Sequence, residues 1–266
     1  MSAHGIGDEL REALDDFCRL GRVLVASDYD GCIAPIQPRP ELAVPNPDSL
    51  AALLACAERR DTLAAMISGR ARDDLAAISG AGDPLVLVGS HGAEFDTGFD
   101  QPLTVDQQTL LDRIIAEFRS IAEKIPGTSV ETKPASTTLH VRNATPEDGD
   151  VALQLANDGP AGWHGVHATK GKAVIELAVI ETSKGLALDR LREGYGAEAV
   201  LYLGDDVTDE KAFAHLLRRD GAPHDGRGKD VGIKVGDGKT AAEFRVPTTD
   251  GVTAVLEYVA AHRPGA

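Results

Sequence analysis

VLVASDYDGC, residues 23–32, sets four apolar residues against an abrupt polar tail. The same break recurs at LAAMI (63–67) before SGR, at PLVLV (84–88) before GSHG, and at AVLYL (199–203) before GDD. An unbroken apolar run of four or five residues reads as a strand buried on both faces, the habit of parallel sheets. Between the first two runs come a proline-rich loop, IQPRPELAVPNP, and a helix expected from Asp48, as its N-cap, to Arg59. A second helix is expected around Arg72 to Ile78. Strand alternating with helix predicts an α/β fold, an open and mainly parallel Rossmann-like sheet.

The middle of the chain has another texture. VDQQTLLDRIIAEFRSIAEK (105–124) puts Leu111, Ile114, Ile115, Phe118, Ile121 and Ile125 on one stripe, which predicts a long amphipathic helix. Two strands (SVETK, 129–133, and TLHVRN, 138–143), a helix opened by Thr145 and Pro146, and two further strands (GVHAT and AVIEL) follow. This predicts an α+β unit over residues 100–182, inserted into a core made of residues 1–99 and 183–266. DGAPHDGRGKDVG (220–232) has turn composition and is expected to be a mobile surface loop.

Composition narrows the partners. The 266 residues carry 42 Asp and Glu against 27 Lys and Arg, a net charge of −15, and 42% are hydrophobic. Such a chain folds around a core, and its field repels nucleic acid and anionic membranes in the absence of a local basic run. Three scattered cysteines without CxxC spacing indicate neither a disulfide framework nor a zinc knuckle. With no signal-peptide pattern at the N-terminus and no apolar stretch of about 20 residues, a cytoplasmic protein is expected.

In open α/β sheets ligands bind beyond the carboxyl ends of the strands, where every polar tail falls. The candidate site is therefore Asp28, Asp30, Ser68, Gly69, Arg70, Gly204, Asp205, Asp206 and Asp209. Two carboxylates at i and i+2 suit one group that attacks and one that handles a proton. Hard oxygen donors at neighbouring strand ends suit Mg²⁺. Ser68 reads equally as a helix cap, Arg70 as a surface ion pair, and Asp206 and Asp209 as capping carboxylates. Lys184 opens a helix, against the dipole, and an anionic ligand would give it a reason.

DYDGC (28–32), ISGR (67–70), SKG (183–185) and GDDVTDE (204–210) together resemble the four ordered motifs of the haloacid dehalogenase-like phosphatases. Within that superfamily GSHGAE (89–94), ETK and HVR in the inserted unit, and GK…E (171–176) resemble the trehalose-6-phosphate phosphatase family. The resemblance implies a Mg²⁺-dependent phosphomonoesterase acting through an aspartyl phosphate. Asp28 would be the nucleophile and Asp30 the general acid and base. Ser68, Gly69 and Lys184 would bind the phosphoryl group. Asp28, the Asp30 main-chain oxygen and Asp205 would hold the metal, with Asp206 and Asp209 near or behind it. Arg70 would touch substrate or support its loop. The inserted unit would act as a substrate-reading cap, through Glu131, Lys133, Lys172 and Glu176, and Arg142. Parity within the expected strands would put each of the pairs Glu131 and Lys133, His140 and Arg142, and Lys172 and Glu176 on one sheet face. His91 and Glu94 read as structural or as substrate-facing. Cys32 stands where these phosphatases carry Thr or Ser, which predicts oxidant sensitivity beside Asp28.

The resemblance makes the substrate a small sugar phosphate; nothing in the residues speaks to association with a trehalose-phosphate synthase. Alternatives remain at this point: a phosphatase for sucrose 6-phosphate or hexose phosphates, a phosphoacceptor switch like a receiver domain, or an inactive regulatory subunit. The inserted unit and Asp30 oppose the second, and the intact Asp28, Asp30, Lys184 and Asp205 oppose the third.

Overall fold

The computed structural model describes residues 6–99, 102–171, 173–181, 183–219 and 230–265. The chain divides into two compact units, Met1–Asp96 with Ser183–Ala266, and Thr97–Thr182.

The first unit runs α1 (Asp8–Cys18), β1 (Val23–Ser27), α2 (Pro47–Ala57), β2 (Thr62–Ile67), α3 (Arg72–Ser79), β3 (Val86–Val88) and the short β4 (Glu94–Phe95). The second begins at β5 (Gly98–Phe99) and continues through α4 (Val105–Lys124), β6 (Ser129–Thr132), β7 (Ser136–His140), α5 (Pro146–Asp158), β8 (His167–Gly171) and β9 (Val174–Ala178). The chain then returns to the first unit with α6 (Lys184–Tyr195), β10 (Ala199–Gly204), α7 (Val207–Arg219), β11 (Val231–Val235), β12 (Phe244–Val246) and α8 (Thr249–His262).

Six parallel strands form the first unit's sheet, in the order β3-β2-β1-β10-β11-β12. Alternation along β1 explains how it is covered on both faces. Val23 and Val25 join α1, α2 and α8 in one core, through Leu14, Phe17, Leu53, Val255 and Leu256. Leu24 and Ala26 join α6 and α7 in the other, through Leu188, Leu191, Phe213 and Leu216.

Local signals end the helices where they should. Asn46 caps α2, its side chain accepting from the Asp48 N–H, and Pro47 fills the first turn, so the cap lies two residues before the expected Asp48. Gly80 and Gly196 close α3 and α6 in the left-handed conformation. Arg263, just past α8, is buried and reaches across the unit. Its guanidinium donates to the carbonyls of Cys18, Leu20, Gly21, Arg60 and Asp61 and to the Thr62 hydroxyl.

In the second unit an antiparallel sheet, β6-β7-β9-β8, carries α4 and α5 on one face. Leu139, Ile175 and Leu177 point into that helical layer against Ile114, Phe118 and Ala152. Thr104 and Gln107 cap α4 reciprocally.

The strands β11 and β12 were not expected from the sequence. Val231 and Gly232, assigned to a loop, lie in β11, and residues 220–229 of that loop lie outside the described residues. Gly232 and Lys234 interrupt the apolar run that marks the other strands.

Candidate active site

The strand order reverses between β1 and β10, the place where open α/β sheets bind ligands beyond the carboxyl ends of their strands. Asp28 leaves β1 with its N–H donating to the Leu203 carbonyl at 2.8 Å, so it is held to β10 by one more rung. Asp205 follows β10 directly. The chain after Asp28 turns tightly. The Tyr29 and Gly31 positions are fixed by hydrogen bonds from the Ala34 and Gly31 N–H groups to the Tyr29 and Ala34 carbonyls, and Gly31 takes φ +85°. No side chain fits at Gly31: a Cβ there would stand 2.1 Å from an Asp205 carboxylate oxygen.

At the centre, the Lys184 Nζ lies 2.8 Å from Asp28 Oδ2 and 2.8 Å from Asp209 Oδ1. Lys184 is 3% exposed, so its placement at the start of α6 is answered by two buried carboxylates. Asp209 is fully buried, and both its oxygens are occupied. Oδ1 accepts from Lys184 and from the Tyr202 hydroxyl at 2.6 Å, and Oδ2 accepts the N–H groups of Asp205 and Asp206 at 2.9 Å each. Carboxylate oxygens of Asp28, Asp205 and Asp209 lie within 4.8 Å of one another.

That crowding sets the charge states. Burial pushes the Asp28 carboxyl well above the ordinary range despite Lys184, with Asp209 and Asp205 adding to the rise. Burial and Asp209 push Asp205 up to about 7. Burial opposes ionisation of Asp209 too, but Lys184 and the hydrogen bonds from Lys184 and Tyr202 outweigh it and hold this carboxyl low. For Lys184 the two carboxylates overcome burial, and its ammonium is held above the usual lysine range.

These residues fit a divalent cation. The donor set is all oxygen, and burial beside other carboxylates makes two of its carboxyls resist ionisation, a cost that a cation would offset. With its four acceptor positions filled, Asp209 has the supporting place and Asp28 and Asp205 present the remaining oxygens. Asp206 is exposed and lies outside the three-carboxylate group.

Arg70, expected to touch substrate or support its loop, is 7% exposed, and its donors go to protein acceptors. Nε and Nη2 grip both oxygens of Asp30, at 2.8 and 2.9 Å; Nη2 also donates to the Pro40 carbonyl at 2.7 Å, and Nη1 reaches Asp74 Oδ2 at 2.9 Å. The guanidinium also lies over the Tyr29 ring. Ser68 is buried and its hydroxyl accepts the Arg70 N–H at 3.1 Å.

GSHGAE braces this loop. The His91 N–H donates to the Ser68 carbonyl and the Ser90 N–H to the Arg70 carbonyl, while the His91 ring leaves no room for a Cβ on Gly69. Ser90 and His91 both take positive φ, at a cost of about 1–2 kcal/mol each. Glu94 accepts from the Arg72 N–H and the Ser90 hydroxyl. On the far side Gly92 packs against the Ser183 carbonyl, which a Cβ would approach to 2.6 Å.

Oxidant sensitivity at Cys32 does not follow. The thiol is fully buried, and burial together with Asp205, Asp28 and Asp209 pushes it well above the ordinary range, so the reactive thiolate is suppressed.

In the second unit, Glu131, Thr138, Glu176 and Thr169 stand in register across the four strands, on the face away from the helices. Glu176 accepts from Lys133 at 2.9 Å, Ser136 at 2.8 Å and Thr138 at 3.3 Å. Glu131 lies 2.9 Å from His140 Nε2; against burial, that bond and Lys133 hold its carboxyl below the usual range. The shared parity of His140 and Arg142 fails because β7 ends at His140. Arg142 instead lines a recess of about 370 Å³ with Thr145, Pro146 and Asp150 of the helical layer. Lys172 lies outside the described residues.

The signal that sequence reading missed is Lys234. It is 5% exposed, and its ammonium donates to the Asp205 carbonyl beside the acidic group.

Residues 26–250 match the family model Trehalose-phosphatase. The trehalose-6-phosphate phosphatase of Escherichia coli (strain K12) is 30% identical, over 87% of this chain and 84% of its own length. A bifunctional trehalose-6-phosphate synthase/phosphatase of Thermoproteus tenax is 32% identical over 92% of this chain, which spans only 33% of that protein. Among solved structures, the C-terminal domain of C. albicans trehalose-6-phosphate phosphatase superposes with a TM-score of 0.81 at 26% identity, covering 94% of this chain and 96% of that one.

Proposed function

The chain belongs to the trehalose-phosphatase family, and from that membership we propose that it is a Mg²⁺-dependent phosphomonoesterase that hydrolyses trehalose 6-phosphate to trehalose and phosphate through an aspartyl phosphate on Asp28. The observation that carries the reading is the buried Asp28–Lys184–Asp209 chain at the point where the strand order reverses.

A phosphate monoester dianion repels a carboxylate nucleophile, so positive charge must be in place before Asp28 can attack. Lys184, fixed by Asp209, supplies part of it, and Ser68 and Gly69 bind the remaining phosphoryl oxygens. The Asp28 and Asp205 carboxylates and the Asp30 main-chain oxygen would hold Mg²⁺, which when bound offsets charge on the phosphoryl group. Asp28 attacks phosphorus as the bond to the sugar oxygen breaks, and Asp30 gives that oxygen its proton. Asp30 then takes a proton from the water that hydrolyses the acyl phosphate. Asp30 is paired with Arg70 in this structure, and delivery of its proton to the sugar oxygen needs that pair to open.

The polar sheet face of the inserted unit, Glu131, Lys133 and Glu176, is assigned to the sugar hydroxyls together with Lys172. Arg142, which lies beyond that face, is a weaker fit to the role. No described helix is long and apolar enough to cross a membrane. A reducing, cytoplasmic setting is proposed on the three cysteines, which are free and buried.

The test is phosphate release from trehalose 6-phosphate, sucrose 6-phosphate and glucose 6-phosphate, each with Mg²⁺ and with excess EDTA. Metal-dependent release confined to the trehalose ester is expected. Equal release from all three would discard the substrate, and none from any would discard the activity.

A further inference from the structure

Lys234 is a buried lysine that the proposed reaction does not use. It sits at the end of β11, in register with Gly204 of β10. Its ammonium donates to the main-chain carbonyl of Asp205 and lies 3.4 Å from Glu210 Oε1. Glu210 is tied down in turn, its other oxygen accepting the Ala241 N–H at 2.8 Å. The Asp205 N–H donates to Asp209. The Asp205 peptide is thus held at both ends, by Asp209 at the nitrogen and by Lys234 at the oxygen, and its carboxylate lies against Gly31, where no side chain fits. A buried ammonium is costly to keep unless it does something a smaller neutral donor does not. Here its reach joins three separate segments, β11, the turn after β10, and the first turn of α7.

We propose that Lys234, anchored by Glu210, is a positioning residue that aims the Asp205 carboxylate at the divalent cation. The inference rests on the reading of Asp28 and Asp205 as ligands of that cation. Charge and geometry make opposite claims about it. As a bare charge, Lys234 repels a cation, and neutralising it tightens binding. As a brace, it keeps a ligand preorganised, and removing it weakens binding.

The experiment is titration of the metal-free protein with Mn²⁺, followed by electron paramagnetic resonance of the free ion, and with Mg²⁺ by calorimetry. It is run on the full chain, on Lys234→Met and on Lys234→Gln, with circular dichroism as the check that each is folded. Binding about tenfold weaker in a folded variant is the expected result. Unchanged or tighter binding in the folded variants overturns the proposal, as does loss of the fold in both, which would make Lys234 a structural residue. If the unaltered protein binds neither ion, the metal reading itself fails. Asp205→Asn tells the two failures apart: it abolishes binding if the ligand reading holds, whatever Lys234 does.

Discussion

Removing divalent metal should make the stability of this protein depend on pH in a direction opposite to ordinary acid denaturation. Asp28, Asp205 and Asp209 are crowded around Lys184, and burial lifts Asp205 to about 7 and Asp28 well above the ordinary carboxyl range. A carboxyl raised by folding contributes stability that is complete below its unfolded value, 3.8, and is lost as pH climbs through its folded value, about 7. Carrying Asp205 from 3.8 to about 7 corresponds to about 4 kcal/mol at ~1.36 kcal/mol per pH unit. Part of that rise lies below pH 5, and the buried carboxylates around Asp205 share its titration, so the expected loss between pH 5 and 8 is about 2–4 kcal/mol. For a chain of this size that is roughly 5–12 °C in Tm. The assay is thermal unfolding in EDTA at four pH values, repeated in excess Mg²⁺. Metal takes the place of the proton, so its stabilisation should be small near pH 5 and large near pH 8, and Asp205→Asn should flatten both curves. A Tm in EDTA that holds level or rises from pH 5 to 8, or a Mg²⁺ shift equal at both ends, would refute the reasoning.

Three further outcomes are expected. Asp28→Asn should remove turnover of every phosphate ester while leaving the circular dichroism spectrum unchanged, since the proposed nucleophile is lost and the hydrogen-bonding shape is kept. Arg263→Ala should destabilise by about 3–5 kcal/mol in urea unfolding, because carbonyls from two segments lose their buried donor at once; a change below about 1 kcal/mol would mean that water replaces it. Cys32→Thr should leave the rate of peroxide inactivation as it was, given the burial of the thiol.

What could be read from the sequence was whatever local chemistry decides. The strands ending in SDYDG, SGR, GSHG and GDD announce themselves because a strand buried on two faces must be apolar and must end where the polar site begins. The chain-order motifs also brought Asp28, Lys184, Asp205 and Asp209 to notice, and these four come together in space. The partners that define roles were not legible. Arg70 meets Asp30 across 40 residues, and neither spacing nor composition encodes that pair. Lys234 drew no notice, since nothing near it in sequence shows that Asp205 waits opposite. Cys32 failed for the complementary reason: adjacency to Asp28 along the chain says nothing of access, and the tight turn at Gly31 buries the thiol. Arg142 was placed by extrapolating strand parity two residues past the real end of β7.

Gly92 lies close enough to the Ser183 carbonyl to exclude a methyl group, although some ninety residues of chain separate them. The first unit therefore leaves off and resumes at nearly one point. An excursion whose two ends already meet costs little in chain entropy whatever its length, because that cost grows only with the logarithm of loop size. Replacing the inserted module between these two anchors should therefore leave the fold of the first unit intact.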